Sequence, residues 1–417
     1  VQILKPKGDL VFGSSQNFAN LFWLKLTSLW CDAKQSSKVL LTFWCCKFIT
    51  FTKTSLEMNR FVLVCVLALL PGLAQAQTKA ENIILITLDG MRWQEVFSGA
   101  DSLLINSKDY VEDVTGLNQQ FWKPTATARR QTLMPFFWSV VAKQGVLYGN
   151  RNLGNYVNCT NTMWFSYPGY NEILSGYADD ARISSNDKFP NPNETVLEFL
   201  NKQDKYKGKV AAFGSWDVFP FIINEARSGL PVNAGFRTAT QPKLSDREKF
   251  LNQLQTEIPS PWGSVRLDAF THHYALEYMK KYKPNIVYIA YGETDDFAHN
   301  GKYDAYLKSA YQTDQFIKAI WEWVQSEPQY RNKTTILITT DHGRGTIPLN
   351  EWRDHGSKVK GADEIWFAAI GVGVTPKGEV KTAGQLYQNQ VAATAAALLG
   401  KTFSQQGKAG APINLAK

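Results

Sequence analysis

Cysteine is scarce in this 417-residue chain, and its placement is uneven. Cys31, Cys45, Cys46 and Cys65 all precede residue 76, and only Cys159 follows. Beyond residue 76 an intramolecular disulfide is therefore excluded, and with it a disulfide-stapled scaffold. The roughly 340 residues that follow are enough to bury a core without staples. A basic stripe is also lacking. The net charge is +8, but residues 1–76 hold 8 basic against 3 acidic side chains, so the remainder carries only +3 on a mixed surface. That balance argues against specific nucleic-acid binding. Internal repeats and low-complexity linkers are absent as well, and histidine is rare, at five residues.

The composition of the first 76 residues has a readable cause. Met58-Asn59-Arg60 opens a short positive region, residues 61–70 (FVLVCVLALL) form an apolar run, and Gln75 lies between Ala74 and Ala76. A run of that length is short for a bilayer span, and Ala-x-Ala is a cleavage pattern. Residues 58–76 are expected to be a secretory signal peptide, and residues 1–57 a translated upstream segment without a role in the working protein. The protein is then exported, to a periplasm or to the medium. It meets a membrane only through that signal. Residues 77–417 form the functional domain.

From there apolar, β-branched runs alternate with helical patterns. Strands are expected at 82–88, 209–213, 285–291, 334–340 and 364–370. Near-continuous apolar strands belong to a sheet buried on both faces. Helices are expected at 131–143, 194–202, 245–254, 266–282, 305–325 and 388–399, and a surface loop or small insertion at 229–242. This alternation predicts an α/β fold, doubly wound on a largely parallel sheet.

Three of the five histidines stand beside carboxylates: Asp295-Asp296-Phe297-Ala298-His299, Asp341-His342 and Asp354-His355. Imidazole and carboxylate together are the ligand set of zinc or manganese. Asp89, Asp295 and Asp341-His342 each follow an expected strand, where α/β folds gather ligands. Ser166 in SYPGYNEILSG has proline two residues on and a glycine stop at Gly176. It is expected as the N-cap of a short helix, at the positive end of its dipole. An ordinary capping serine would look the same. His272 and His273 fall within a helix and are read as structural. Trp93, Trp164, Trp216 and Phe219 suit either packing or stacking on a substrate, and loops 98–130, 151–165 and 215–263 are where specificity would lie.

Taken in order, Asp89, Ser166 in S-Y-P-G-Y, Asp295-x-x-x-His299, Asp341-His342-Gly343 and His355-Gly356 resemble the alkaline phosphatase superfamily. They are most similar to its nucleotide pyrophosphatase/phosphodiesterase branch. The resemblance implies two divalent ions, zinc by preference with manganese also suited. One would be held by Asp295, His299 and His355, the other by Asp89, Asp341, His342 and the Ser166 oxygen. It implies hydrolysis of a small-molecule phosphate ester, a diester by preference, through a covalent Ser166 intermediate. Asn186 stands where such enzymes place a polar group for the non-bridging oxygens, though a turn would use it equally. Arg344 is expected to reach an anionic substrate. Tyr170 stands where sulfatases carry arginine, which argues against the formylglycine chemistry. A phosphoglycerate-type phosphomutase and a sulfatase-like hydrolase are the alternatives. Oligomeric state is not legible.

Overall fold

The computed structural model describes residues 79–416, so the expected signal peptide at 58–76 and the segment before it lie outside the described residues. Strands β1 (Asn82–Leu88), β2 (Gly145–Tyr148), β3 (Asn155–Asn158), β4 (Val210–Gly214), β5 (Val232–Ala234), β6 (Ile286–Tyr291), β7 (Thr334–Thr339), β8 (Glu364–Ile365), β9 (Phe367–Gly371), β10 (Gly378–Glu379) and β11 (Gly384–Tyr387) form two sheets. The larger has the order β10-β2-β9-β7-β1-β6-β4-β5, and the smaller β11-β3-β8.

β1 lies at the middle of the larger sheet, parallel to both β6 and β7. All seven of its residues are buried, because its faces serve two cores. Ile84, Ile86 and Leu88 point into one core, Ile83 and Leu85 into the other. This period-2 split of an all-apolar strand places helices on both sides of the sheet. Helix α1 (Ser166–Ser175) belongs to the second core and is buried along its whole length. Helices α2 (Asp268–Tyr282) and α4 (Tyr303–Ser326) pack in the first, and the short helix α3 (Glu293–His299) precedes α4. Helix α5 (Val391–Leu398) packs against α1. The expected doubly wound, largely parallel α/β fold is what forms.

Details differ where local cues are weak. The expected strand 364–370 is two strands, one in each sheet, and β9 runs antiparallel to β7. The expected helix 131–143 is interrupted: one helix ends at Leu133, and a wide turn at Phe137–Val141 follows Pro135. Proline lacks the N–H that would carry the helix through. The loop expected at 229–242 contributes edge strand β5, parallel to β4. Among the described residues, no helix is long and apolar enough to cross a membrane.

Candidate metal centre and nucleophile

The C-terminal ends of β1, β6 and β7 converge on one edge of the sheet. Asp89 directly follows β1, α3 starts two residues after β6, and Asp341-His342 follow β7 after a single residue. Each chain turns sharply there. Gly90 has φ +56°, and a Cβ on it would lie 2.8 Å from Asp295 Oδ1.

His342 is the centre of the cluster. Its Nδ1 lies 2.9 Å from the Gly343 carbonyl, which fixes the proton on that nitrogen and turns the Nε2 lone pair inward. Nε2 then faces Asp89 Oδ1 at 3.4 Å, Asp341 Oδ2 at 3.5 Å and Asp295 Oδ1 at 3.7 Å. The second oxygen of each buried carboxylate is already satisfied. Tyr170 Oη donates to Asp89 Oδ2 at 2.8 Å, and the Gly90 N–H donates to Asp341 Oδ1 at 3.0 Å. The inward oxygens, Asp89 Oδ1 and Asp341 Oδ2, are buried with no hydrogen-bond partner. Uncompensated buried carboxylate oxygens are costly, and aimed at an oriented imidazole they fit a cation. Donor atoms group as Asp89–Asp341–His342 and Asp295–His342–His355, each set within 4.8 Å. His299 Nε2 adjoins the second set, 3.3 Å from Asp295 Oδ2 and 2.9 Å from His355 Nε2. All six expected Asp and His ligands are thus together, and their chemistry fits divalent metal ions.

Proton affinities record the same imbalance. Burial raises Asp89 and Asp341 above the usual carboxylate range, and neighbouring carboxylates add to it. Burial lowers His342, but Asp341, Asp89 and Asp295 outweigh it and push the imidazole up to about 9. Burial and the His342 charge hold His355 well below the usual imidazole range. Burial, then Asp295, Asp89 and Asp268, push Asp296 up to about 9. The sign of the pH dependence follows. A raised proton affinity stabilises the cation-free fold below the unfolded value, and the contribution fades as pH rises through about 9 for His342. Cations replace those protons. The melting-temperature gain on adding zinc should therefore grow from about pH 6.5 to about pH 9. Scanning calorimetry across that window measures it, and a flat gain contradicts the exchange.

Ser166 reaches this edge from the opposite side. Its Oγ lies 3.4 Å from His342 Nε2. Phe165, extended at φ −146° and ψ 177°, is the N-cap, so Ser166 is the first helical residue and not the cap that its sequence suggests. The reason is Trp164, whose φ of +52° starts the reversal one residue earlier. Glu172 holds that segment, accepting from the Thr160 and Asn161 N–H groups and from both side chains at 2.8–3.0 Å. Gly169 permits the approach, since a Cβ there would lie 2.3 Å from the Asp341 carbonyl oxygen. The helix ends at Gly176 with φ +82°, as expected.

Asn186 lines the same cavity of about 270 Å³, with Asp89, Ser166, Trp216, Ser264, Val265, Gly292, Asp295, Asp296, His299 and His355. Its Oδ1 accepts from the Tyr167 N–H at 2.9 Å, which leaves its NH2 group for another partner. Larger hollows of about 440 and 650 Å³ sit near Phe236 and Trp321, away from these donors.

Arg344 does not reach toward a substrate. It is buried and ion-paired to Asp295, and it donates to the Gly90 carbonyl at 3.2 Å and the Arg353 carbonyl at 2.5 Å. With those donors engaged it orients the Asp295 carboxylate, and it holds Asp295 well below the usual range despite burial. Arg92, three residues past Asp89, is also buried and is ion-paired to Glu95. The expected structural role of His272 holds. It stacks on Phe316 at 4.3 Å, and burial pushes it down to about 3. The Asp354 side chain is exposed, so its place beside His355 is not a shared site. Tyr170 and Gly169 were missed as site residues. Both were visible in the helix sequence, but what they touch was not.

Residues 238–400 match the family model described as the Metalloenzyme superfamily, a stretch holding Asp295, His299, Asp341, His342 and His355. Among solved structures, wild-type alkaline phosphatase PafA aligns at TM-score 0.52 and 10% identity, covering 81% of this chain and 99% of that one. A putative sulfatase from Bacteroides thetaiotaomicron aligns at 0.52 and 14%, covering 81% and 75%. The lipoteichoic acid synthase LtaP from Listeria monocytogenes aligns at 0.50 and 13%, covering 81% and 75%. At such identities the likeness is one of fold. No curated protein matches the chain by sequence.

Proposed function

We propose that this chain, a Metalloenzyme superfamily member with the alkaline phosphatase fold, is an exported hydrolase of phosphate esters that prefers diesters. The observation that carries this is Ser166, whose hydroxyl stands 3.4 Å from His342 Nε2 at the start of a buried helix. Asp295, His299 and His355 would hold one divalent ion, and Asp89, Asp341, His342 and Ser166 the other. Zinc suits three imidazoles and three carboxylates best, and manganese is the second choice. Bound there, the ions supply Lewis-acid charge that favours serine ionisation and steadies the attacking and leaving oxygens.

The protein's own groups do the rest. The Ser166 oxygen attacks phosphorus, the bond from phosphorus to the ester oxygen breaks, and the alcohol departs with a proton. Water then attacks the phosphoserine, restoring the hydroxyl and releasing phosphate or a monoester. The Asn186 NH2 group donates to a non-bridging oxygen, and the first-turn N–H groups of α1 add positive potential. Export rests on the sequence around residues 58–76.

Charge favours the diester. Among the described residues lining the cavity, none is lysine or arginine, so the second charge of a monoester dianion has no partner. The ratio of kcat/KM for bis-p-nitrophenyl phosphate to that for p-nitrophenyl phosphate tests this. It should exceed about tenfold, the worth of one unmatched charge at a partly wet site. A preference for the monoester removes the diester reading. A preference for p-nitrophenyl sulfate, also a monoanion, points instead to a sulfatase-like enzyme.

A further inference from the structure

Six strands of the larger sheet, β1, β2, β4, β5, β6 and β7, run in one direction and start at the edge opposite the metal cluster. Five of them follow a lysine within three residues: Lys79, Lys143, Lys209, Lys283 and Lys333 stand before β1, β2, β4, β6 and β7. Lys207 and Arg331 fall in the same three-residue stretches, and all seven side chains are exposed. Glu81 is the one acidic residue in the six stretches, so this edge carries a net +6, against +3 for everything after residue 76. The three residues after each of these strands hold Asp89, Asp217, Glu293 and Asp341 against Arg151 and Arg237. Charge is polarised along the strand axis. No stretch of sequence shows it, because the five lysines lie at least 50 residues apart.

Lys283 pairs with Glu327 at 2.9 Å, and Lys333 with Glu81 at 3.5 Å. Among the described residues, Lys79, Lys143, Lys207, Lys209 and Arg331 make no ion pair. Lys377 adds an exposed charge beside them, its N–H bonded to the Gly145 carbonyl at the start of β2. A hollow of about 470 Å³ opens at this edge, lined by Lys143, Trp321, Ile370, Val372, Val374 and Pro376, and one of about 650 Å³ shares Trp321. Exposed lysines around a partly apolar hollow with tryptophan suit a lipid surface, whereas a nucleic-acid backbone would use the charge alone. Chain order points the same way. The described fold begins at Lys79, on this face, three residues after Ala76, where the expected signal peptide would be cut.

We propose that this basic face docks on a bilayer containing anionic phospholipid, its lysines and Arg331 meeting headgroup phosphates. Contact with a membrane then outlasts the signal peptide. The metal cluster, at the far ends of strands of six or seven residues, lies about 20 Å further out and faces away from the bilayer. The proposal rests on the export reading and is independent of which ester is hydrolysed.

Co-sedimentation of the full chain with vesicles tests it, using about 30% phosphatidylglycerol in phosphatidylcholine against phosphatidylcholine alone, at about 0.1 M salt. Two variants lose the same charge. One carries Lys143→Gln, Lys207→Gln, Lys209→Gln and Lys377→Gln on the face, and the control carries Lys108→Gln, Lys358→Gln, Lys360→Gln and Lys381→Gln at exposed positions elsewhere. A lysine held near an anionic surface is worth about fivefold in partitioning, so the face variant should bind anionic vesicles about 10²-fold more weakly, and the control within about threefold of the parent. Residues 1–78 are the same in every sample, so their own affinity for lipid cancels. If the face variant melts early, Lys207→Gln with Lys209→Gln should still weaken binding about tenfold. Equal partitioning of the parent on both vesicles, or equal losses in face variant and control, overturns the proposal. A short DNA duplex that binds the parent more tightly than the anionic vesicles, and loses affinity in the face variant, also overturns it and makes the face a nucleic-acid surface.

Discussion

Ser166→Ala is expected to lower kcat on bis-p-nitrophenyl phosphate by about 10³-fold or more while melting temperature and cation content stay near the parent values. The fold should tolerate the change. Among the described residues, the one hydrogen bond of the hydroxyl is the long one to His342 Nε2, at 3.4 Å. Asp89, Asp341 and His342 would still offer three donors to the second ion. The loss should fall on kcat, because the hydroxyl makes its decisive bond in the transition state. A variant that keeps more than about a tenth of the activity would transfer the role of nucleophile to water, and the covalent intermediate would be wrong.

His342→Ala should be the most damaging single change at the site. Its ring is shared by both donor groups and faces three carboxylates within 3.7 Å. Removing it leaves Asp89 Oδ1 and Asp341 Oδ2 buried together with neither imidazole nor a complete cation set. Breaking such a buried pair costs about 3–5 kcal/mol, and the lost cation adds its own binding energy to that deficit. The expected outcome is cation content near or below one per chain, turnover reduced by about 10³-fold or more, and a marked fall in melting temperature when zinc is present. Metal analysis with calorimetry on the same preparation measures all of these. A variant that keeps both cations would show that His342 is a neighbour and not a ligand.

These outcomes depend on residues that were legible for different reasons. β1, β6 and β7 were readable because strands buried on both faces need unbroken apolar runs, and such runs are rare outside a central sheet. The candidate ligands were readable because β-strand ends gather such groups, so Asp89 and Asp341 stand out by position. The direction of β9 was not legible, since a buried strand has the same composition whichever way it runs. β2, β5 and β10 have only two to four residues, too few for a period to show. Arg344 shows the limit for side chains. Its neighbours in sequence marked it as a site residue, but whether its guanidinium turns outward or inward depends on Gly90 and Arg353, distant in sequence. The place of Ser166 in its helix turned on the positive φ of Trp164, which nothing about tryptophan suggests.

Cation stoichiometry, measured beside turnover on one sample of the full chain, tests the two-ion centre most directly. The expected result is two zinc or manganese ions per chain, loss of diester hydrolysis on chelation, and its return in proportion as the ions are restored. Hydrolysis that survives removal of both ions, or full activity with one ion per chain, contradicts it.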